Sequence, residues 1–390
     1  MKFNRPLITV ASFCALGLNG MAFTFMGVSL PSLQAYLEIS IEQAGALMAS
    51  LQAGFTLFTL LGGIFSDYFY REWVLALGCT LLCIGSLSLC FLSSLMASML
   101  AVSLMGAGIG FILSGSNALL VALYPRSKGT ILNIHHVFFG LGAILGPVIM
   151  GLFIAHNGYW QGGFYSLALV LVILGLIFLF AKGKKSIGKD GALSISALRK
   201  LIGDEKFQVI MAVNFLTMGS QVVIMLFGAI FLTQAKQCTL AEASGALSIF
   251  SIFMVVGRVL CSRAALTIKH STIIVFLLWL QIVTLLFAWQ GNGWTAIVFI
   301  ALSGLTFSGT YPTLLALTSI LSPQHEGTAL GILSTMGGLG SVILCWLTGY
   351  VAGLTSMEFG FIVIYLGCFC ALILFQLNHR SLCLRETVQD

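Results

Sequence analysis

Apolar stretches of membrane-crossing length follow one another along almost the whole chain, at about 7–30, 41–65, 73–93, 96–122, 131–155 and 160–181. They resume at about 207–234, 240–262, 271–290, 294–320, 327–352 and 357–377. A helix needs roughly 20 residues to cross a hydrocarbon core of about 30 Å, so each run can span a bilayer once. Only 8% of the residues are charged, against about a quarter in soluble domains, which excludes a water-soluble core. Barrel strands would alternate apolar and polar residues over about ten positions, and no such alternation occurs. Lipid cannot satisfy open backbone groups, so the runs predict α-helices. Lys2 and Arg5 precede the first run as in a cleaved leader. That run is about 24 residues long, ends at Pro31 and lacks a small-x-small site, which predicts a retained helix.

The lysines and arginines set the orientation. With both termini cytoplasmic, every one of the 18 except Lys236 falls on the inner side, a strong positive-inside bias that an error in counting spans would have scrambled. The net charge of +6 therefore reports topology and contact with anionic lipid, not nucleic acid. Of the ten cysteines, eight lie in spans and Cys238 is alone on the outer side. This predicts small apolar helix residues rather than disulfides or a metal site.

The two halves repeat. Gly110-Phe-Ile-Leu-Ser-Gly-Ser-Asn117 recurs as Gly304-Leu-Thr-Phe-Ser-Gly-Thr-Tyr311, an offset of 194. Glu42-Gln-Ala-Gly-Ala-Leu47 recurs as Glu242-Ala-Ser-Gly-Ala-Leu247, an offset of 200, and Gly129-Thr130 to Gly142 matches Gly327-Thr328 to Gly340, an offset of 198. The repeating unit is the half-chain. This predicts an all-α membrane protein of twelve helices in two pseudo-symmetric six-helix bundles, with a site between them at mid-membrane. The bundles would be residues 1–181 and 207–390. A cytoplasmic linker over 182–206, whose second part (Leu193, Leu198, Leu201, Ile202) has the spacing of a short helix on the inner leaflet, would join them.

Amides cost free energy in lipid, so they mark the faces turned to a wet or protein interior. Spans one, four, seven and ten carry Asn19, Asn117, Asn214 with Gln221, and Tyr311 at mid-depth, whereas spans three, six, nine and twelve carry mostly hydroxyls and thiols. The first set is expected to line a cavity and the second to face lipid. On span five Asn133, His136 and Gly140 recur at three and four residues, which places them on one helix face, with His135 turned about 100° away. Gly140, Gly142, Gly146 and Gly151 read as helix-packing glycines. Arg258, at the inner end of span eight, could bind an anionic substrate, or its long stem snorkels to the inner surface. Trp73, Trp160, Trp289 and Trp294 read as interfacial anchors, and Trp346 as packing or as a platform for a sugar ring.

Gly62-Gly63-Ile-Phe-Ser-Asp67-Tyr-Phe-Tyr-Arg71-Glu72, in the loop after span two, resembles the signature of the major facilitator superfamily, with Tyr70-Arg71-Glu72 standing where that family has more basic residues. The resemblance implies that Asp67, paired with Arg71, faces the start of span eleven and latches the cytoplasmic side shut. Ser114-Gly-Ser-Asn117 with Asn133-Ile-His-His136 is similar to the branch containing the fucose and glucose proton symporters, whose fifth helix contacts sugar. Proton-coupled relatives carry acidic residues where this chain has Gly27 and Ser114. No Asp or Glu falls at mid-membrane, so if protons are coupled a histidine is the deep titratable group; His136, in register with Asn133, is the candidate, and the competing reading is a structural histidine bonded to a neighbouring helix. Gly142-x-x-x-Gly146-Pro147 also resembles part of the fifth-helix motif of drug/proton antiporters, with Asn133 where that motif has glycine.

These residues predict a secondary active transporter, not an enzyme, working as a monomer in a bacterial inner membrane with both termini cytoplasmic. Substrate would be held by Asn19, Gln52, Asn117, Asn133, His136, Asn214, Gln221 and Tyr311, with Phe23 and Phe25 nearby. The neutral, amide-rich set suits a sugar or similar polar solute, moved with protons or down its own gradient. The alternative is proton-coupled export of drugs or metabolites. A membrane sensor would need a soluble output domain and a membrane enzyme a cluster of reactive groups at depth, and the chain has neither. No cofactor or metal is expected.

Overall fold

The computed structural model of the chain describes residues 5–126, 128–156, 158–181, 201–322 and 326–389, and within helices it leaves out the side chains of 128–130, 133, 326–328 and 385–389. The inner-leaflet helix expected before Leu201, and the linker residues 182–200, lie outside the described residues.

Among the described residues twelve helices are long and apolar enough to cross a membrane. The first six are α1 (Arg5–Leu37), α2 (Ile41–Tyr68), α3 (Arg71–Leu89), α4 (Leu95–Leu123), α5 (Lys128–Ala155) and α6 (Gln161–Phe180). The others are α7 (Glu205–Ala235), α8 (Leu240–Ala264), α9 (His270–Gln290), α10 (Trp294–Leu321), α11 (Glu326–Leu354) and α12 (Met357–Gln389). The last turns of α7, Phe231–Ala235, are π-helical, and α10 is interrupted at Gly309 between Trp294–Ser308 and Thr310–Leu321. No strand occurs among the described residues. Pro31 and Pro147 are accommodated inside α1 and α5, as membrane helices permit where neighbours re-satisfy the freed carbonyls.

The sequence repeat marks how these helices begin and where they cross. Ser40 caps α2 in a reciprocal capping box with Gln43, and Thr239 caps α8 in the same way with Glu242. The side chain at each cap satisfies a backbone N–H that has no partner within the helix. Both boxes lie at the start of the repeated Glu-x-x-Gly-Ala-Leu segments, the partner being the repeat's own glutamate in α8 and the residue after it in α2.

The chain divides into two compact units, residues 1–190 and 191–390. In the first, α1 packs on α5 and α6, α2 on α4, and α3 on α4 and α6. In the second, α7 packs on α11 and α12, α8 on α10, and α9 on α10 and α12, which is the same set of pairs six helices on. Small residues permit the closest of them. A Cβ built on Gly142 of α5 would stand 1.8 Å from the Gly17 carbonyl oxygen of α1, and one on Gly340 of α11 would stand 2.0 Å from that of Phe215 in α7. Backbone fills both places, so only glycine fits. Where hydrocarbon offers no hydrophobic drive, such close approach is what holds helices together.

Candidate functional site

Polar side chains at the middle of α1 and α7 are spent on their neighbours' backbones. Asn19 is fully buried and its Nδ2 donates to the Ile109 carbonyl of α4 at 3.0 Å, while Asn214 is fully buried and its Nδ2 donates to the Leu333 carbonyl of α11 at 2.7 Å. In each case the amide oxygen is buried without a hydrogen-bond partner among the described residues, as is Nε2 of the buried Gln52 on α2. Leaving such an atom unmatched costs about 1–3 kcal/mol. Each therefore strongly favours a rearrangement or a ligand that supplies the missing partner. Gln221 of α7 is buried as well.

Among the described residues a polar contact joins the fourth and fifth helices of each unit. On α4, Asn117 is partly buried and its Oδ1 lies 3.2 Å from Nδ1 of His135 on α5. In the second unit the Tyr311 hydroxyl of α10, which matches Asn117 in the repeat, lies 2.9 Å from the Ser334 hydroxyl of α11, which matches His136 and not His135. His135 is 0% exposed, and its Nε2 lies 3.2 Å from the Ser12 carbonyl of α1. The ring thus bridges three helices. Phe13 closes one side, with its centroid 5.8 Å from the imidazole and stacked on Phe138 at 4.9 Å.

His136, expected to share an inward face with Asn133 and Gly140, is exposed, while Gly140 is buried. Its ring centroid is 5.7 Å from that of His135. The Asn133 side chain is outside the described set. The sequence signal for His135 is its spacing to Gly142 and Gly146. Those steps of seven and eleven residues fall within about 20° of one helical stripe, and both glycines are in close contact with α1. A histidine on the packed stripe must be buried and hydrogen-bonded.

Asp67, in the last turn of α2, is exposed, and the expected Asp67–Arg71 ion pair does not form among the described residues. The reason lies in the helix boundary: α2 continues through Tyr68 and α3 starts at Arg71, so the two side chains leave different helices. Arg71 is partly buried. The start of α1 and the end of α4 are tied by another arginine. Arg5 donates to the Leu123 carbonyl at 2.5 Å and stacks on Tyr124 at 4.1 Å, and the Tyr124 hydroxyl is 3.0 Å from that of Thr9.

No Asp or Glu occurs in α1, α4, α5, α6, α9 or α10. Among the described residues no group of three His, Cys, Asp or Glu could hold a metal, and all ten cysteines are free. Trp346 is 46% exposed and stacks on Tyr350 at 5.3 Å. Arg258 is partly buried on α8. The described helices thus offer amides, hydroxyls and imidazole, and no acid at their centres.

Comparison with known proteins places this arrangement. The family model described as Major Facilitator Superfamily matches residues 12–263 and 209–381. The fosmidomycin resistance protein of Escherichia coli K12 is 22% identical over 354 residues, covering 87% of this chain and 85% of its own. The mouse sodium-dependent glucose transporter 1A is 24% identical over 137 residues, 35% of this chain and 32% of its own. Among solved structures, a mutant of the nucleoside transporter NupG superposes with a TM-score of 0.81 at 17% identity, covering 96% of this chain and 99% of its own. The D-xylose-proton symporter gives 0.76 at 15% identity, covering 94% and 96%.

Proposed function

The chain belongs to the Major Facilitator Superfamily, and from that premise we propose that it carries a small, uncharged, hydroxyl-rich solute, a sugar by chemistry, with protons as the coupling ion. Transport is the family's work, and the protein is a multi-pass membrane protein and not an enzyme. The observation that carries the solute class is the neutrality of the polar groups at the helix centres. Asn19, Gln52, Asn117 and Asn214 are amides, uncharged groups whose open ends can exchange hydrogen bonds with hydroxyls. An anion would ask for a cation, and a lipophilic cation for a carboxylate, and the centres of these helices hold no acid.

In this reading Asn19, Gln52, Asn117, Asn133, His136, Asn214, Gln221 and Tyr311 contact the solute. The two halves expose it to each side of a bacterial inner membrane in turn, in a monomer with both termini cytoplasmic. His136 takes the proton, since imidazole titrates in the right range. Asp67, beside Arg71 in sequence, faces the positive N-terminus of α11 in the inward-closed state. Counterflow of radiolabelled hexoses in proteoliposomes, with and without an imposed pH gradient, tests the whole. Exchange of a hexose supports it. Concentrative uptake that persists at full rate in His136→Ala removes histidine from coupling.

A second reading is export of a drug or metabolite, favoured by the length of the match to the fosmidomycin resistance protein, 87% of this chain against 35% for the glucose transporter. Resistance conferred on expressing cells, together with no counterflow of any hexose, would decide for export.

A further inference from the structure

We propose that His135 is a positioning residue that holds the Asn117 amide with its oxygen turned outward, so that Asn117 can only accept a hydrogen bond from the transported solute. The proposal rests on the reading of Asn117 as a solute contact, and it concerns which end of that amide the solute meets.

Nε2 of His135 faces the Ser12 carbonyl at 3.2 Å. A carbonyl only accepts, so Nε2 carries a hydrogen. The remaining question is whether Nδ1 carries one too. A doubly protonated ring buried at 0% exposure needs a counter-charge. The helices packed around it are α1, α4 and α6. The titratable groups on them and on α5 itself are Arg5, Cys14 and Tyr36 on α1, Tyr124 at the end of α4, Lys128 and His136 on α5, and Tyr165 on α6. None is a carboxylate, and His136, 5.7 Å away ring to ring, would add like charge. The ring is therefore neutral and Nδ1 presents a lone pair.

A lone pair at Nδ1 repels an amide oxygen and attracts an amide N–H. The two ends of an asparagine amide fill nearly the same volume, and a half-turn about the Cβ–Cγ bond exchanges them. The contact between Nδ1 and Asn117 at 3.2 Å is thus made with Nδ2 donating. Asn117 Oδ1 then points away from His135, on a side chain that is only partly buried. Phe13, held against the imidazole by Phe138, keeps the ring from swinging to another partner. The chemical consequence is selectivity for a donor at one position of the solute: a hydroxyl is accepted, and a group that only accepts is refused.

Two measurements test this, and the first needs no solute. Protein labelled with 15N-histidine in lipid nanodiscs is examined by NMR between pH 6 and 8, with the His135 signal identified by its loss in His135→Phe. The expected spectrum is a neutral ring protonated at Nε2. In Asn117→Asp, which keeps His135 and offers two oxygens and no N–H, Nδ1 is expected to become protonated near neutral pH. A wild-type ring that is doubly protonated, or protonated at Nδ1 alone, overturns the proposal, as does an Asn117→Asp variant whose Nδ1 signal is unchanged. The second measurement is competition in hexose counterflow by deoxy and deoxyfluoro hexoses, fluorine accepting but not donating. At one ring position the fluoro and deoxy analogues are expected to compete equally poorly, roughly tenfold or more below the parent, and in His135→Phe the fluoro analogue is expected to recover. Fluoro analogues that compete like the parent at every position overturn it. If no hexose exchanges at all while the NMR result holds, the sugar reading fails and the fixed amide stands.

Discussion

Lys236 Nζ lies 2.6 Å from Glu358 Oε1, with the lysine side chain 1% exposed and the glutamate side chain 45% exposed. The ammonium also donates to the Trp289 carbonyl at 2.5 Å, and the Trp289 indole N–H donates to the Glu358 carbonyl at 3.1 Å. Lysine is seldom buried unless paired, and this one joins the π-helical end of α7 to the last turn of α9 and the first turn of α12. Above it Phe231 and Phe361 stack at 3.9 Å.

The ion pair is expected to act asymmetrically under mutation. Glu358→Gln leaves a buried ammonium with a carbonyl as its partner and costs about 1–3 kcal/mol of stability. Lys236→Met, which removes the buried charge itself, costs less, and the Lys236→Met/Glu358→Leu pair is close to neutral, because a buried charge pair roughly cancels against desolvation. Thermal unfolding of the purified protein, followed by loss of the monodisperse peak, checks the order. A double variant less stable than Glu358→Gln would show that the pair adds net stability.

Gly142 and Gly340 occupy equivalent crossings, and the same substitution should fail at both. Alanine at either puts a methyl into a carbonyl oxygen of the facing helix, and backbone cannot yield as a side chain can. A loss of about 1–3 kcal/mol or more is expected from such overpacking. Gly331 on α11 is the control: nothing lies within 4 Å of its Cβ position. Gly331→Ala should stabilise by up to about 1 kcal/mol through helix propensity. Equal behaviour at all three glycines in a denaturation series would refute the crossing argument.

How far the sequence spoke depended on whether a feature was periodic. The twelve spans and the half-chain repeat were legible because hydrocarbon thickness sets a length and pseudo-symmetry sets an offset. The helix ends were less so: α1 runs from Arg5 to Leu37, well past the apolar stretch that suggested it, since lipid dictates where a helix must be apolar and not where it stops. The site was legible by residue type and not by partner. Asn117 stands out as an amide at depth, but its contact is His135, whereas the polar face of α5 holds His136. The face that mattered was the stripe of glycines, where close approach of α1 brings the Ser12 carbonyl to the ring. Asp67 and Arg71 were legible as neighbours near a loop, but not the helix boundary between them: α2 runs through Tyr68 and α3 starts at Arg71, so the two side chains leave different helices.

Exposure of Asp67 separates a gating role from a structural one. Because Asp67 is exposed and forms no ion pair among the described residues, Asp67→Asn should change stability by no more than about 0.5 kcal/mol. If the carboxylate latches a closed state, counterflow nonetheless falls about tenfold, equivalent to about 1.4 kcal/mol in the barrier. Full-rate counterflow in Asp67→Asn removes the latch, whereas lost expression or a lowered unfolding temperature would mean the aspartate holds the fold.

Cys238 lies between α7 and α8, outside the spans, and its reactivity carries a definite pH sign. Burial is the first cause that raises its thiol above the ordinary cysteine value, the Glu242 carboxylate is the second, and Lys236 opposes them. The thiol hydrogen also has acceptors in the Lys236 carbonyl at 3.6 Å and the Gly293 carbonyl at 3.8 Å. The thiolate is the form that reacts with an alkylating agent, so a raised value means less of it at any given pH. Modification of Cys238 by iodoacetamide should therefore be slow at pH 8 and keep rising well beyond the midpoint near 8.5 of a free thiol. Glu242→Gln removes the second cause and leaves burial in place. It should speed labelling by about two- to threefold, the scale of one partly screened charge. Mass spectrometry of the Cys238 peptide over a pH series reads both effects, and a midpoint at or below that of a free thiol would mean that Lys236, not burial, governs the site.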